Sequence, residues 1–333
     1  MGIETMKLPD EVSRALRKPK WNRWALPLRV LAAVILVGGL YFYFDFSQII
    51  HRLSELDAAY AVAALALVAA QYLLGCARWH YILQRHGAGL SWRRSFSIYG
   101  NGALANLVLI TSIAGVSVRG LMLAHEKVEL SRIVGVLLVE RIAALGGMVL
   151  CVVIGLAISQ RFLMERFAAD AGLGFGYLLP AIGLLVAGLV CVLLWRMQSV
   201  KRMIAEIRTS FLSLKVIGLL VAASSVIIFL GFAAVAVLAA GMNIEISPLF
   251  FVTAMPVVAF MASLPITIGG WGVREGMMVA GLGLFGVKAE PALALSVSYG
   301  LAGILVTCVL GAIGLVWYMA IWRYHSSSSF DAQ

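Results

Sequence analysis

Long apolar stretches separated by short polar connections dominate this chain. They lie near residues 24–44, 58–77, 96–118, 133–158, 173–195, 214–240, 247–287 and 291–322. A helix needs about 20 predominantly apolar residues to cross the hydrocarbon core of a bilayer. Polar or glycine-rich residues interrupt the third and seventh stretches, and the other six are continuous. The pattern predicts an all-α polytopic membrane protein with about six to eight transmembrane helices.

Composition indicates the same class. Of the 333 residues, 62% are hydrophobic and only 13% are charged. We expect a basic cytoplasmic segment at 1–23, one integral membrane domain at 24–322 and a short disordered cytoplasmic tail at 323–333. The first apolar stretch is too long for the hydrophobic region of a signal peptide, so we expect it to remain as a span.

The basic residues cluster in particular connections. Residues 1–29 carry seven Lys and Arg against three acids, residues 78–94 carry four and no acid, and residues 196–215 carry five against one. Positively charged connections face the cytoplasm, which predicts that these three are internal and that 45–57, 160–172 and 241–249 face outward. The formal charge of +10 therefore indicates orientation in a membrane and not nucleic-acid binding.

The charge distribution conflicts with a simple series of crossings. Three apolar stretches separate the two internal connections at 78–94 and 196–215, and an odd number of crossings would place them on opposite sides. The stretch at 96–118 holds glycines, two asparagines and an arginine. Irregular backbone of this kind is tolerated at membrane depth where protein buries it or where it lines a cavity. We expect a re-entrant hairpin from the cytoplasmic side, with eight full crossings as the alternative.

A second interrupted stretch contains the sequence PITIGGWGVREG at 265–276. With an offset of 155 residues, TSIAGVSVRG at 111–120 aligns with ITIGGWGVRE at 266–275. The identical pairs are Ile113 with Ile268, Gly115 with Gly270, Val118 with Val273 and Arg119 with Arg274. Three apolar stretches separate the copies, so the two hairpins would enter from opposite sides. This arrangement predicts an inverted repeat of the kind that transporters use to form a substrate site.

Arg119 and Arg274 are the main candidates for binding an anionic group. A planar guanidinium binds a phosphate through two hydrogen bonds, and the glycines of a turn leave backbone N–H groups as further donors. The alternative is that both side chains extend along apolar surface to reach lipid headgroups. For Trp271 the alternatives are packing and a gate over the site, and for Asn106 the alternative is satisfying hairpin backbone.

The same residues carry a family resemblance. The second signature of the lysylphosphatidylglycerol synthase transmembrane region, or flippase-like domain family, resembles the run of Pro265, Ile266, Gly269, Gly270, Gly272, Arg274 and Glu275. The first signature is matched at Asn106, Gly115 and Arg119, with Thr111 in place of proline and Val116 in place of an acid. A third element resembles Glu140 and Arg141, with Ala144 in place of aspartate. A plain interfacial position is the alternative for this pair.

The resemblance implies a protein that moves an anionic phospholipid, or a polyprenyl-linked or related lipid-linked intermediate, between leaflets. The predicted substrate site comprises Arg274, Arg119, Gly269, Gly270, Gly272, Gly115, Trp271, Glu275, Asn106, Glu140 and Arg141. We expect no enzymatic activity, because no soluble synthetase domain follows the last span. The expected setting is a bacterial cytoplasmic membrane, with both termini in the cytoplasm and a phosphate-bearing lipid as the ligand.

Two other functions remain open. The chain could be a non-catalytic partner of a lipid-modifying glycosyl- or acyltransferase, or a membrane-embedded transferase acting on such a lipid. Four cysteines and five histidines are scattered without ligand or catalytic spacing. The sequence therefore predicts neither a metal site nor a cofactor.

Overall fold

A computed structural model describes residues 54, 56–108, 114–169, 214–263 and 272–328. Within these ranges the chain forms eight α-helices and no β-strand. They are α1 (Ala58–Arg85), α2 (Trp92–Val108), α3 (Ala114–His125), α4 (Leu130–Ala169), α5 (Leu214–Gly241), α6 (Pro248–Ser263), α7 (Val273–Gly283) and α8 (Ala289–Ser328). The all-α class predicted from the sequence is confirmed for these residues.

Four of the described helices are long and apolar enough to cross a membrane. The segments are Ala58–Arg85, Leu130–Gly155, Lys215–Gly241 and Ala289–Ala320. The predicted spans at 24–44 and 173–195 and the N-terminal segment at 1–23 lie outside the described residues. Helix α8 continues to Ser328, so its last turns extend into the predicted tail.

The first described helix is longer than its apolar stretch. Asp57 caps α1, because its side chain accepts a hydrogen bond of 2.7 Å from the Ala59 N–H. No glycine or proline follows Gly75 until Gly87, whose φ of 67° is a conformation that favours glycine. The helix therefore includes Arg78, which the charge count had assigned to a cytoplasmic connection. That assignment was wrong, and the actual connection covers only residues 86–91.

Both interrupted stretches form pairs of shorter helices that pack against each other, α2 with α3 and α6 with α7. Near the start of α2, Arg94 forms an ion pair of 3.0 Å with Glu126, which follows α3. Near the start of α6, the ring of Phe250 packs on that of Phe285, just after α7, with centroids 5.8 Å apart. In each pair, the start of the first helix thus lies beside the end of the second.

The helix ends gather at two opposite ends of the bundle. One, called the basic end, carries Arg85, Arg93, Arg94, Lys127 and Arg132. The other, called the acidic end, carries Asp57, Glu245 and Glu290 together with Lys288. Helix α2 begins and α3 ends at the basic end. Helix α6 begins and α7 ends at the acidic end. The Asp57 N–H donates to the Gly241 carbonyl at 3.4 Å, which sets the start of α1 beside the end of α5.

The helix lengths repeat along the chain. Helices α1 to α4 have 28, 17, 12 and 40 residues, and α5 to α8 have 28, 16, 11 and 40. The packing shows the same correspondence between the two halves of the chain. Helix α2 of the first half packs on α8 of the second half, and α6 of the second half packs on α4 of the first. At the basic end this contact is marked by Phe96 and Trp317, whose rings lie 5.2 Å apart.

Three groups of buried apolar side chains fill the described helices. One surrounds Trp79 towards the basic end, one surrounds Phe250 towards the acidic end, and a smaller one surrounds Tyr72 between them. Charged side chains are scarce in these groups. The few that are buried define the candidate site.

Candidate functional site

Arg119 and Glu140 form a buried ion pair between α3 and α4. The Nη1 atom of Arg119 lies 2.8 Å from both carboxylate oxygens of Glu140. Each residue is only 7% exposed. Glu140 lies about ten residues after the start of α4, which at 1.5 Å per residue is about 15 Å from the basic end. Both side chains therefore lie inside the bundle, well away from its basic end.

Aromatic rings and close backbone surround the Arg119 guanidinium. Its Cζ atom lies 4.7 Å from the centre of the Trp79 ring and 5.7 Å from that of Tyr99. Stacking of this kind favours a cation over an aromatic face. Its Nε–H also donates to the Gly115 carbonyl at 3.3 Å. The guanidinium is held from several directions, with no extension to headgroups.

Two small residues allow α2 and α3 to approach closely. A Cβ atom on Gly115 would overlap the carbonyl oxygen of Gly102, so only glycine fits there. The Gly115 N–H donates to the side-chain oxygen of Asn106 at 2.7 Å. Asn106 thus satisfies backbone at the start of α3, which was the alternative to a substrate contact. The Gly115 donor predicted to face a ligand is occupied.

Sequence reasoning missed Arg78, which lies close enough to Arg119 and Glu140 for their charges to interact. Its Nη1 donates to the Ser224 hydroxyl on α5 at 2.5 Å. The charge count placed Arg78 in the connection at 78–94, so the residue was not considered as part of a site. The absence of any helix breaker between 78 and 85 was the signal that could have placed it inside a helix.

A second arginine and glutamate meet at the start of α7. Arg274 Nε–H donates to Glu275 at 2.9 Å, and the Glu275 residue is 2% exposed. The other Glu275 oxygen accepts from the Gly272 N–H at 2.6 Å, as expected for an acid in the first turn of a helix. Gly272 has φ of 85°, a conformation that favours glycine. The Gly272 donor predicted for a ligand is therefore also occupied.

Helix α8 completes the surroundings of this pair. The Ser296 hydroxyl lies 3.4 Å from the same Glu275 oxygen that binds Arg274. The Arg274 guanidinium rests against Gly300, where any Cβ atom would overlap it. Tyr299 is near Arg274 and donates to the side-chain oxygen of Gln71 on α1 at 3.4 Å. Sequence reasoning missed all of these neighbours, since none belongs to a glycine-rich motif.

Of the remaining predicted residues, the structure describes only Arg141, and it lies outside these two clusters. Arg141 is exposed, because it follows Glu140 by one residue and points to another face of α4. Gly269, Gly270 and Trp271 lie outside the described residues. The two arginines also differ in position, since Arg119 is the sixth residue of its helix and Arg274 the second.

The electrostatic balance differs between the two clusters. Around Arg119 there are two guanidinium groups, its own and that of Arg78, for one carboxylate, that of Glu140. Around Arg274 the charges match one to one. Among the described residues, no group of three or more His, Cys, Asp or Glu side chains could hold a metal ion. A guanidinium group can bind an anion through paired hydrogen bonds.

Comparison with known families agrees with the resemblance seen in the motifs. The sequence model described as the lysylphosphatidylglycerol synthase TM region matches residues 29–311. The chain belongs to this family. No curated protein and no solved structure matches it.

The part matched to the lysylphosphatidylglycerol synthase TM region includes both buried arginine clusters. It extends from before α1 into α8 and ends at residue 311. Family membership, together with the four long apolar helices, identifies an integral membrane protein of a lipid-related family.

Proposed function

We propose that this protein moves a lipid with a phosphate headgroup between the two leaflets of the membrane. The lipid would be an anionic phospholipid or a polyprenyl-linked intermediate. The observation that carries the proposal is the pairing of the buried Arg119 and the partly buried Arg274 each with a buried glutamate, in helix pairs that open to opposite ends of the bundle.

The energetics of a buried charge favour this role. An arginine at the centre of a bilayer costs about 2.5 to 3.5 kcal/mol on insertion scales, so it is retained where a counter-charge compensates it. A lipid phosphate crossing the same depth has the same need. Without a ligand, the carboxylates of Glu140 and Glu275 neutralise the two guanidinium groups. When a lipid is bound, its phosphate neutralises them instead.

The proposal includes two re-entrant helix pairs related by an inverted repeat. It is supported by the repeated helix lengths and by the contacts at the two ends, Arg94 with Glu126 and Phe250 with Phe285. In this arrangement each pair offers a polar site to one leaflet. A lipid headgroup then moves from one site to the other while its tails remain in the bilayer.

Orientation follows from charge. The basic end faces the cytoplasm and the acidic end faces outward, because Lys and Arg accumulate on the cytoplasmic side. In a bacterium this places the protein in the cytoplasmic membrane. The lipid enters and leaves chemically unchanged, since the clusters supply binding groups and the function requires no bond to be made or broken.

A transbilayer movement assay tests this function. The purified full chain is reconstituted into liposomes with a trace of phosphatidylglycerol that carries a fluorescent label, and dithionite then bleaches the label in the outer leaflet. We expect protein-containing vesicles to lose the inner-leaflet label as well, and mass analysis to recover the lipid unmodified. A labelled glucosyl diacylglycerol, which lacks phosphate, should stay protected. Equal protection of both lipids, with and without protein, would contradict the proposal.

A further inference from the structure

The guanidinium of Arg78 has an unusual environment for a residue within an apolar span. Its Nη1 donates to the Ser224 hydroxyl, and that hydroxyl in turn donates to the Leu220 carbonyl at 2.7 Å. Its Nε atom is buried and has no hydrogen-bond partner. A neutral hydroxyl is a weak counterpart for a cation, and a buried donor without an acceptor costs about 1 to 3 kcal/mol, more when charged.

The direction of the side chain excludes simple extension to the nearest headgroups. Helical Cα–Cβ bonds tilt towards the helix N-terminus, and α1 runs from the acidic end to the basic end. Arg78 therefore points away from the basic end, which is the nearer one. Its partner Ser224 lies about ten residues into α5, which corresponds to a depth of about 15 Å. This is the same depth as Glu140, measured along α4.

The local charges leave one cation without an acid. Arg119 already binds both carboxylate oxygens of Glu140, the nearby acid. Arg78 feels the attraction of Glu140 and the repulsion of Arg119 and Arg141. The two guanidinium groups of Arg78 and Arg119 against one buried acid make this region attractive to an anion. The Arg78 residue as a whole is half-buried, so part of its side chain is accessible, while its Nε atom is enclosed.

We propose that Arg78 binds the phosphate group of the lipid, at a site between α1, α4 and α5 where Arg119 supplies the second guanidinium. This inference rests on the proposed function, because it assigns a substrate-binding residue to the transported lipid. The Nε–H and the Nη2 group of Arg78 form one edge of a fork that matches two phosphate oxygens. Ser224 fixes the remaining nitrogen and orients that fork.

Binding measurements on the purified full chain in detergent test this assignment. The probes are short-chain phosphatidylglycerol, short-chain diacylglycerol without phosphate, and inorganic phosphate. The variants are Arg78→Gln and Arg78→Lys. The matched control is Arg85→Gln, the same change on the same helix, at an exposed residue that bonds Tyr81. Affinity is taken from titrations, and the thermal midpoint is recorded with and without each probe.

We expect Arg78→Gln to weaken phosphatidylglycerol binding about tenfold or more, as for loss of a charged hydrogen bond. Arg78→Lys should weaken it about threefold, because an ammonium keeps the charge and loses the fork. Arg85→Gln should bind as the wild type does, and diacylglycerol should not bind at this site. Binding of inorganic phosphate that is lost in the same variants supports the site as a receptor for the phosphate group itself.

Wild-type affinity for phosphatidylglycerol in Arg78→Gln overturns the assignment, even if its thermal midpoint is lower, because that combination indicates a purely structural role. If Arg78→Gln cannot be purified, Arg78→Lys decides, and unchanged affinity in it overturns the assignment. The transport assay is separate. Loss of binding in the variants together with an absence of transbilayer movement in the wild type would retain the Arg78 site and reject the proposed function.

Discussion

The Nη1 atom of Arg119 on α3 lies 2.8 Å from both carboxylate oxygens of Glu140 on α4. The pair ties the second helix of an interrupted stretch to a neighbouring span. Removing one partner of a buried pair leaves an uncompensated charge and costs about 3 to 5 kcal/mol. We expect Glu140→Gln to lower the thermal midpoint of the purified protein clearly, since both Arg119 and Arg78 then lack an acid.

A double-mutant cycle isolates this pair. The variant that combines Arg119→Gln with Glu140→Gln should lose less stability than the sum of the two single variants, because neither member of the pair is left as a charge without its partner. Arg132→Gln with Glu129→Gln is the matched control, since that pair is exposed and contributes about 1 kcal/mol or less. Strict additivity at Arg119 and Glu140 would show that the pair contributes no coupling energy.

The close approach of α2 and α3 gives a second prediction. A Cβ atom at Gly115 would lie 2.6 Å from the Asn106 side-chain nitrogen and still closer to the Gly102 carbonyl. Backbone cannot yield cheaply, so we expect Gly115→Ala to destabilise the protein by about 1 to 3 kcal/mol. Gly276→Ala is the control, because nothing lies within 4 Å of a Cβ atom there. That change should leave the thermal midpoint unchanged or raise it. Equal midpoints for the two variants would contradict the tight contact.

Some features of the fold and site could be predicted from sequence because their causes are local. Apolar length marks the spans, and glycine with polar residues marks the two interrupted stretches at 96–118 and 247–287. Glu275 lies in the first turn after Gly272, where an acid can accept the N–H of the preceding turn. Predictions of this kind use only the spacing of residues along the chain, so they need no knowledge of how the helices pack.

Partners from different helices could not be predicted in this way. Arg78 and Ser224 are separated by 146 residues, and no periodicity relates residues on α1 to those on α5. Trp79 lies just past the apolar stretch at 58–77, and it is 0% exposed beneath the Arg119 guanidinium. Both contacts have one cause: α1 extends past its apolar stretch and brings polar and aromatic residues into the bundle.

Cysteine labelling tests the orientation. In a chain whose natural cysteines are replaced, Lys127→Cys lies at the basic end and Glu245→Cys at the acidic end, and both positions are exposed. An impermeant maleimide applied to intact cells should label position 245 at once and position 127 only after permeabilisation. Labelling of position 127 from outside would contradict either the proposed orientation or the proposed re-entrant pair of α2 and α3.

His86 gives a prediction about pH. Burial lowers its pKa below the ordinary value of 6.5, the Ile82 carbonyl acts in the opposite direction, and Arg132 lowers it further. The unfolded chain therefore binds more protons than the folded one as pH falls through 6.5 and below. Stability should decrease in that window and be fully present above it. The thermal midpoint should fall less steeply with pH in His86→Gln than in the wild type. If the thermal midpoints of the two proteins fall in parallel with pH, His86 does not contribute to the pH dependence of stability.

The strongest test of mechanism is Arg274. Its guanidinium lies near the start of α7, against Gly300 and in contact with Glu275. We expect Arg274→Lys to slow lipid movement in proteoliposomes about tenfold, because one charge-assisted hydrogen bond contributes about 1.5 to 3 kcal/mol. Arg274→Ala should abolish movement. Arg119→Lys and Arg119→Ala should follow the same order.

Loss of folding is not the expected cause of these effects. In Arg274→Ala the Glu275 carboxylate keeps the Gly272 N–H and the Ser296 hydroxyl as donors, so it is not left without partners. Lys288→Ala is the matched control, since it removes an exposed cation just beyond the same helix. Rates are compared at equal amounts of reconstituted protein. If Arg274→Ala moves lipid as fast as Lys288→Ala does, the guanidinium is not a phosphate ligand, and its place against α8 serves packing alone.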